Sequence, residues 1–190
     1  MHPDEELAKA AKQGDTQAFA ELYERHINRM YRYVVTRVGN TTVAEDVTGD
    51  IFIRAFESIG SYEWRGVPFS SWLFKIAHNR IVDHFRREGS REFVYVDGPL
   101  SLDGPDPHDV VEFKMDTEEA LTALRELTES QRQVIALRFA SGLSLAETAA
   151  VMKKKEGAIK ALQHSAIQAM RRILERRGKL SKVVRMQDAG

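Results

Sequence analysis

Residues 127–174 read "LTESQRQVIALRFASGLSLAETAAVMKKKEGAIKALQHSAIQAMRRIL", and the spacing inside this stretch decides the fold. Its apolar pattern predicts a helix from about Glu129 to Phe139, a turn at Ser141-Gly142, a short helix from Ser144 to Met152 and a long helix after it. That is helix-turn-helix spacing, which lays a recognition helix in a DNA major groove with its solvent face toward base edges. On a helical wheel of the last helix, Ile159, Leu162, Ala166, Met170 and Ile173 share one face and form a core stripe. Lys160, His164, Gln168 and Arg171 lie together on another, the candidate reading face. Gln163 falls inside the apolar arc, either at its edge or paired with a backbone group.

Within this stretch "MKKKEGAIK", residues 152–160, contradicts the usual chemistry of a helix start. Exposed N–H groups there favour a hydroxyl or carboxylate cap and acidic neighbours, whereas Lys153, Lys154 and Lys155 repel that end. The conflict is relieved if a DNA phosphate faces both the cations and the backbone N–H groups.

Outward from this motif, 190 residues with 43% hydrophobic side chains suffice for one domain or two small ones with a buried core. The absence of cysteine excludes disulfide frameworks, thiolate zinc sites and cysteine nucleophiles. The N-terminal "MHPDEELAKAAKQG" is acidic and helical in pattern, without the features of a signal peptide. No segment approaches about 18 consecutive apolar residues. These features lead to the expectation of a cytoplasmic protein. The net charge of +0 averages segments of opposite sign. Residues 89–118 carry eight acids against two cations, while residues 131–190 carry thirteen Lys plus Arg against four acids. A nucleic-acid-facing C-terminal part beside an acidic connector is the implication.

Strand signals are nearly absent, and Phe19, Leu22, Tyr23, His26, Ile27, Met30 and Tyr31 follow helical spacing. A second helix is predicted from Thr42, where "TVAE" fits a capping box, to about Ile59, and a third from about Phe69 to Arg87. Between them "GSYEWRGVPF", residues 60–69, reads as an aromatic loop. From Gly89 to about Thr117, three prolines and two Asp-Gly pairs break the pattern into a linker. Helical periodicity resumes at Glu118 and continues to Arg177, with Gly178 as the predicted stop. The fold class is all-α, with two small helical domains joined by an acidic flexible linker.

The third helix reads "FSSWLFKIAHNRIVDHFRR". Leu73, Ala77, Ile81 and Phe85 form its packing stripe, whereas Trp72, Ile76, Asn79, Asp83 and Arg86 point to the other side. An amide can clamp a base edge, an arginine can hold a phosphate, and aromatics can receive a base lifted from the stack. A core role for Trp72 and local pairing for Asn79 are the alternatives.

Four stretches, "AEDVTGDIFIRAFESI", "FSSWLFKIAHNRIVDHFRR", "LTESQRQVIALRF" and "GLSLAETAAVMKKKEGAIKALQH", together resemble the second and fourth regions of bacterial sigma factors of the extracytoplasmic-function group, which are sigma-70 related. The resemblance divides the chain into an N-terminal extension (1–14), a region 2 domain (15–88), the acidic linker (89–117), a region 4 domain (118–177) and a basic tail (178–190). It implies a subunit that binds RNA polymerase core through the largest-subunit clamp and the flap. It also implies reading of the minus-thirty-five element as duplex, and opening of the minus-ten element as a captured strand. Asp46, Asp50, Phe52, Arg54 and Phe56 would then meet the clamp. Asn79, Asp83 and Arg86, with Tyr62, Trp64, Arg65 and Phe69, would receive the minus-ten strand. Lys153, Lys154, Lys155, Lys160, Ala161, His164 and Ser165 would face the minus-thirty-five groove. An anti-sigma partner is a further expectation, and no catalytic residue, metal or cofactor is implied. The chain departs from the family pattern at Gly49, where an amide is common, at Leu162 and Ser165, where arginines are, and at Lys153 and Lys155, where a turn glycine and a capping hydroxyl would be usual.

Two rivals remain on the sequence. A helix-turn-helix regulator acting without polymerase leaves the Asn79 face unexplained. A metal-dependent nuclease built on "HNRIVDH" sets His78 and His84 about 120° apart on one helix, a poor geometry for one ion.

Overall fold

The computed structural model describes residues 3–63, 68–88 and 123–187, the side chains of Pro3 and of residues beyond 178 excepted. The linker 89–117, Trp64, Arg65 and the start of the region 4 segment at 118–122 lie outside the described residues.

Four helices make the first bundle: α1 (Pro3–Lys12), α2 (Thr16–Val38), α3 (Thr41–Ser58) and α4 (Phe69–Glu88), with a 3-10 turn at Ile59–Ser61. Asp15 starts α2 by accepting from the backbone N–H groups of Gln17 and Ala18 at 2.9 and 3.0 Å, and Gly39 at φ 71° ends it. The capping box expected at Thr42 does not form. Asn40, in extended backbone, caps α3 instead by accepting from Val43 N at 2.9 Å, so the helix begins at Thr41. Asparagine outranks threonine at this position. Leu22, Met30, Tyr33, Ile51, Phe69, Leu73, Phe74 and Ile81 fill the core. The boundary expected after residue 14 is not a structural one, because Ala8 and Ala11 are buried and Asp4 pairs with Arg25 (3.0 Å) and His26 (2.8 Å) of α2.

The second unit follows the predicted order. Thr128 and Gln131 form a capping box for α5 (Glu129–Ile135), which widens into a π turn over Ala136–Ala140. Gly142 turns the chain at φ 64°, and Ser144 with Glu147 caps α6 (Leu145–Met152). The last helix, α7, spans Glu156–Gln187 and passes through the stop expected at Gly178. One glycine costs about 1 kcal/mol of helix propensity, and Arg176 and Arg177 anchor this turn to Glu126. Leu124, Val134, Ile135, Ile159, Ala166 and Met170 form the second core.

The two units also pack on each other. Ala136, Leu137, Leu143 and Val151 belong to the same buried cluster as the first bundle. The C-terminal carbonyls of the π turn, orphaned as at any helix end, receive hydrogen bonds from the other domain: Arg29 Nε donates to Ser141 O at 2.8 Å and Arg32 Nε to Ala140 O at 2.9 Å. Arg37, 1% exposed, pairs with Glu129. Ser70 Oγ donates to Glu147 at 2.5 Å, and Gln133 Nε2 meets His78 Nδ1 at 3.0 Å.

Two titratable groups make this contact pH-sensitive. Burial, with the nearby Arg37 and Lys153 cations and against the pull of Glu129, holds the His78 imidazole below its usual pKa of 6.5. A depressed histidine contributes stability above 6.5 that is lost as pH falls through 6.5 toward the folded-state value. Burial raises the Glu147 carboxyl, but hydrogen bonds from Ser70 and Ser144, with Arg29 nearby, together hold it below 4.5. Its contribution is present above 4.5 and lost at lower pH. Urea titrations from pH 7.5 to 5.5 are expected to show stability falling with pH, and His78→Gln to flatten that slope.

Candidate nucleic-acid interface

The recognition helix begins where the lysines stand. Lys153 closes α6 at φ 53°, in the left-handed region that favours glycine, and among the described residues it is the single non-glycine with positive φ. Lys155 occupies the cap of α7, its carbonyl accepting from Ala158 N (2.9 Å) and Ile159 N (3.1 Å). Both positions go against local preference, and both side chains, with Lys154, are exposed. Lys153→Gly is expected to stabilise by about 1 kcal/mol and Lys155→Ser by about 0.5–2 kcal/mol. For every lysine that holds a phosphate, its replacement is expected to reduce the log–log salt slope of duplex binding by about 0.9. Thermal unfolding and binding at several salt concentrations check both, and an unchanged salt slope would return the lysines to solvated charge.

Lys160, Ala161, His164 and Ser165 are all exposed along one face of α7, while Ile159, Ala166, Met170 and Ile173 are buried opposite, as the helical wheel predicts. Ser165 Oγ accepts from Gln131 Nε2 at 3.1 Å. Gln163 is neither at an edge nor on a backbone group. It is buried and accepts from Arg138 Nε at 2.9 Å, and Arg138, also buried, donates from a second nitrogen to the Leu143 carbonyl in the turn. A buried guanidinium needs such acceptors, and the pair ties the recognition helix to the turn.

In the first bundle, α3 and α4 flank a groove of about 600 Å³ lined by Asp50, Ile53, Arg54, Trp72, Asn79 and Asp83, among others. The predicted face of α4 is thus brought together: Trp72, Ile76, Asn79 and Asp83 line one groove, and Asp83 pairs with Arg86 at 3.0 Å. Leu73, Ala77 and Ile81 are buried behind it. Tyr62 and Phe69 are corrections to the expected DNA surface. At 5% and 0% exposure they are core residues, packed edge-on at 5.6 Å, because the chain turns inward after Ile59 to close the bundle. Burial, with Glu5 and Asp4 nearby, pushes the Tyr62 phenol up to about 12, so it stays protonated. Trp72, tilted against both rings, carries that aromatic cluster to the groove wall.

On α3, Asp46, Asp50, Arg54 and Phe56 are exposed. Phe52 is buried against Tyr23 at 4.8 Å and supports the helix rather than forming its outer face. Gly49 faces open space. Sequence reasoning passed over Ile53, 61% exposed, and Arg80, both on the groove. The spacing of Ile76, Arg80 and Asp83 at i, i+4 and i+7 already placed Arg80 on that face. Of the nuclease rival's residues, His78 faces Gln133 across the domain contact and His84 lies beside Phe85. Among the described residues no group of three or more His, Asp or Glu could hold a metal ion.

The described residues thus form two helical units, one with a helix-turn-helix whose last helix carries an exposed basic face and one with a separate polar-aromatic groove. Residues 22–91 match the sigma-70 region 2 family and residues 123–172 the sigma-70 region 4 family. The chain is similar to the ECF RNA polymerase sigma factor BldN of Streptomyces coelicolor, 39% identical over 171 residues covering 89% of this chain, and it spans 65% of that relative's length. It is 30% identical over 173 residues to the ECF sigma factor SigK of Mycolicibacterium vanbaalenii, covering 88% of this chain and 87% of the relative. Among solved structures, the fold is similar to CnrH in its complex with the cytosolic domain of CnrY, with a TM-score of 0.70 at 24% identity, covering 90% of this chain and 97% of that one. It is also similar to the sigma factor RpoE of Bartonella quintana in complex with the anti-sigma factor NepR, with a TM-score of 0.65 at 22% identity over 84% and 98% of the two chains. The chain belongs to the extracytoplasmic-function family of RNA polymerase sigma factors.

Proposed function

We propose that this chain is an alternative sigma factor that binds RNA polymerase core and directs promoter recognition, strand opening and transcription initiation. The observation that supports it is the presence, on one chain, of two exposed faces of different chemistry. The basic face of α7 suits duplex DNA, and the α3–α4 groove, with Trp72, Asn79 and Asp83, suits a base outside the stack. Asp46, Asp50, Arg54 and Phe56 on α3 would meet the clamp, and region 4 the flap. Lys153, Lys154, Lys155, Lys160, Ala161, His164 and Ser165 would hold the minus-thirty-five duplex. The chain makes no bond itself, and strand opening is stabilised by capturing an extruded base.

No helix among the described residues is long and apolar enough to cross a membrane, and the cytoplasm, where polymerase works, is the proposed location. An anti-sigma partner belongs to the same reading, since one fold neighbour was solved with an anti-sigma factor and the other with the cytosolic domain of CnrY. Purified chain and core polymerase are expected to co-elute and to start transcripts from a library of promoter fragments. Neither co-elution nor a transcript over a comprehensive library would remove the proposal.

A further inference from the structure

One residue of the exposed face of α7 is held by a side chain from another helix. The Ser165 hydroxyl accepts from Gln131 Nε2 of α5 at 3.1 Å. The other end of the same amide is already committed. Gln131 Oε1 accepts from the Thr128 backbone N–H at 3.1 Å and from the Thr128 hydroxyl, also at 3.1 Å, in the capping box that starts α5. A backbone N–H can only donate, so it must meet the amide oxygen, and the cap thereby fixes which way the amide faces. Its nitrogen is left for Ser165, and the hydroxyl there must accept. Elsewhere in the chain a helical hydroxyl donates to the carbonyl four residues back, as Ser58 does to Arg54 O at 2.6 Å and Thr36 to Arg32 O at 2.7 Å. Ser165 makes no such bond, and among the described residues its proton has no acceptor.

We infer that Ser165 is a hydrogen-bond donor to a base edge in the major groove, and that Gln131 is the positioning residue that gives the hydroxyl this polarity. This deepens the proposed function and rests only on its reading of α7 as a duplex-binding helix. A hydroxyl that accepts from an amide is polarised into a stronger donor. The edge that fits it is an acceptor: N7 of either purine, O6 of guanine or O4 of thymine. The amino groups of cytosine and adenine are themselves donors and would meet the proton head-on. One base pair is therefore selected through a chain of hydrogen bonds that begins at the Thr128 backbone, outside the recognition helix.

The test selects duplexes from a library with a randomised central segment, using the full chain alone and bound to RNA polymerase core. The wild-type chain is expected to prefer acceptor edges about three- to tenfold at one base pair, the worth of a single neutral hydrogen bond. Ser165→Ala is expected to erase that preference and leave those at other base pairs. Gln131→Glu is the decisive variant. A carboxylate keeps the capping box, since one oxygen still accepts from the Thr128 N–H, so the thermal midpoint is expected to hold. It has no proton to give, so the Ser165 hydroxyl must turn and donate to it. What the hydroxyl then presents to the groove is a lone pair, and the preference at that base pair is expected to reverse toward the amino groups of cytosine and adenine. The added negative charge weakens binding to all sequences alike, which leaves the ratio between them as the readout. Ser165→Ala combined with Gln131→Glu is expected to show neither preference.

A uniform loss over all sequences with Ser165→Ala would place the hydroxyl on a phosphate and overturn the inference. So would a preference unchanged by Gln131→Glu, or a reversal that persists without Ser165, which would come from the new carboxylate itself. A wild-type chain that selects no sequence, alone or with core, removes the inference together with the duplex reading of α7. Selection by a chain that does not bind core would instead remove the sigma reading, and the variants would still decide the roles of Ser165 and Gln131.

Discussion

Leu137→Glu is expected to part the two domains while leaving each folded. Leu137 is fully buried in the cluster shared with the first bundle, whereas region 4 keeps its own core around Val134, Ile135, Ile159 and Met170. Truncating a buried leucine costs about 2–5 kcal/mol, and a buried unpaired carboxylate costs more than the contact can return. Opening the interface returns that carboxylate to water and also hydrates Arg29, Arg32 and the π-turn carbonyls. Small-angle scattering is expected to move the radius of gyration from about 16 Å, the value for a compact chain of this length, upward by several ångströms. Thermal unfolding should resolve into two transitions, with helicity by circular dichroism nearly unchanged at 20 °C. A single transition and an unchanged radius would mean that the domains are held by something other than this cluster. Arg29→Ala with Arg32→Ala, which leaves the apolar contact intact, is expected to give the same change at smaller amplitude. The separation bears on the proposed function because the minus-ten and minus-thirty-five elements lie about 25 base pairs apart, roughly 85 Å of duplex. Thirty-four residues separate Glu88 from Ala123, and at about 3.3 Å per residue a segment of that number has a contour longer than this distance.

The second large effect is expected at Asn79. Its side chain is exposed on the α3–α4 groove, so Asn79→Ala should leave the thermal midpoint within a degree or two. An amide that clamps a base edge contributes about 1–3 kcal/mol, so open-complex formation is expected to fall about five- to more than a hundredfold. Binding of minus-thirty-five duplex, proposed for α7 in the other domain, is expected to hold. Permanganate reactivity of melted thymines and a duplex binding assay separate the two. Equal losses in both, or a lowered midpoint, would assign Asn79 to structure.

Much of the local architecture was legible because it is written in short-range patterns. The start of the short helix at Ser144, Gly142 in the turn and the stripe of Ile159, Ala166 and Met170 each depend on residues within a few turns of one another. The misplacement of Lys153 and Lys155 was visible for the same reason, and the backbone angle at Lys153 gives it a physical form. Where the local reading erred, two signals competed. Asn40 and Thr42 both offered a cap, and Gly178 offered a stop that the flanking helix formers outweighed.

The residues that misled are those whose partners lie far along the chain. Tyr62 and Phe69 sit in a loop of polar and aromatic composition, and nothing within that loop says that the bundle closes over them. Gln163 falls inside the apolar arc, but neither segment says that its partner there is Arg138, which the turn brings beside it in the core. The sequence by itself determined an all-helical chain, its helix-turn-helix and the faces of α4 and α7, because periodicity and capping are local. Only the tertiary structure decided that Arg29 and Arg32 cap a helix end in the other domain, and that Asp50 holds Arg80. Charged side chains carry no mark of which distant acceptor they will meet. That choice is made by packing, which leaves these carbonyls and this carboxylate within a hydrogen bond's reach.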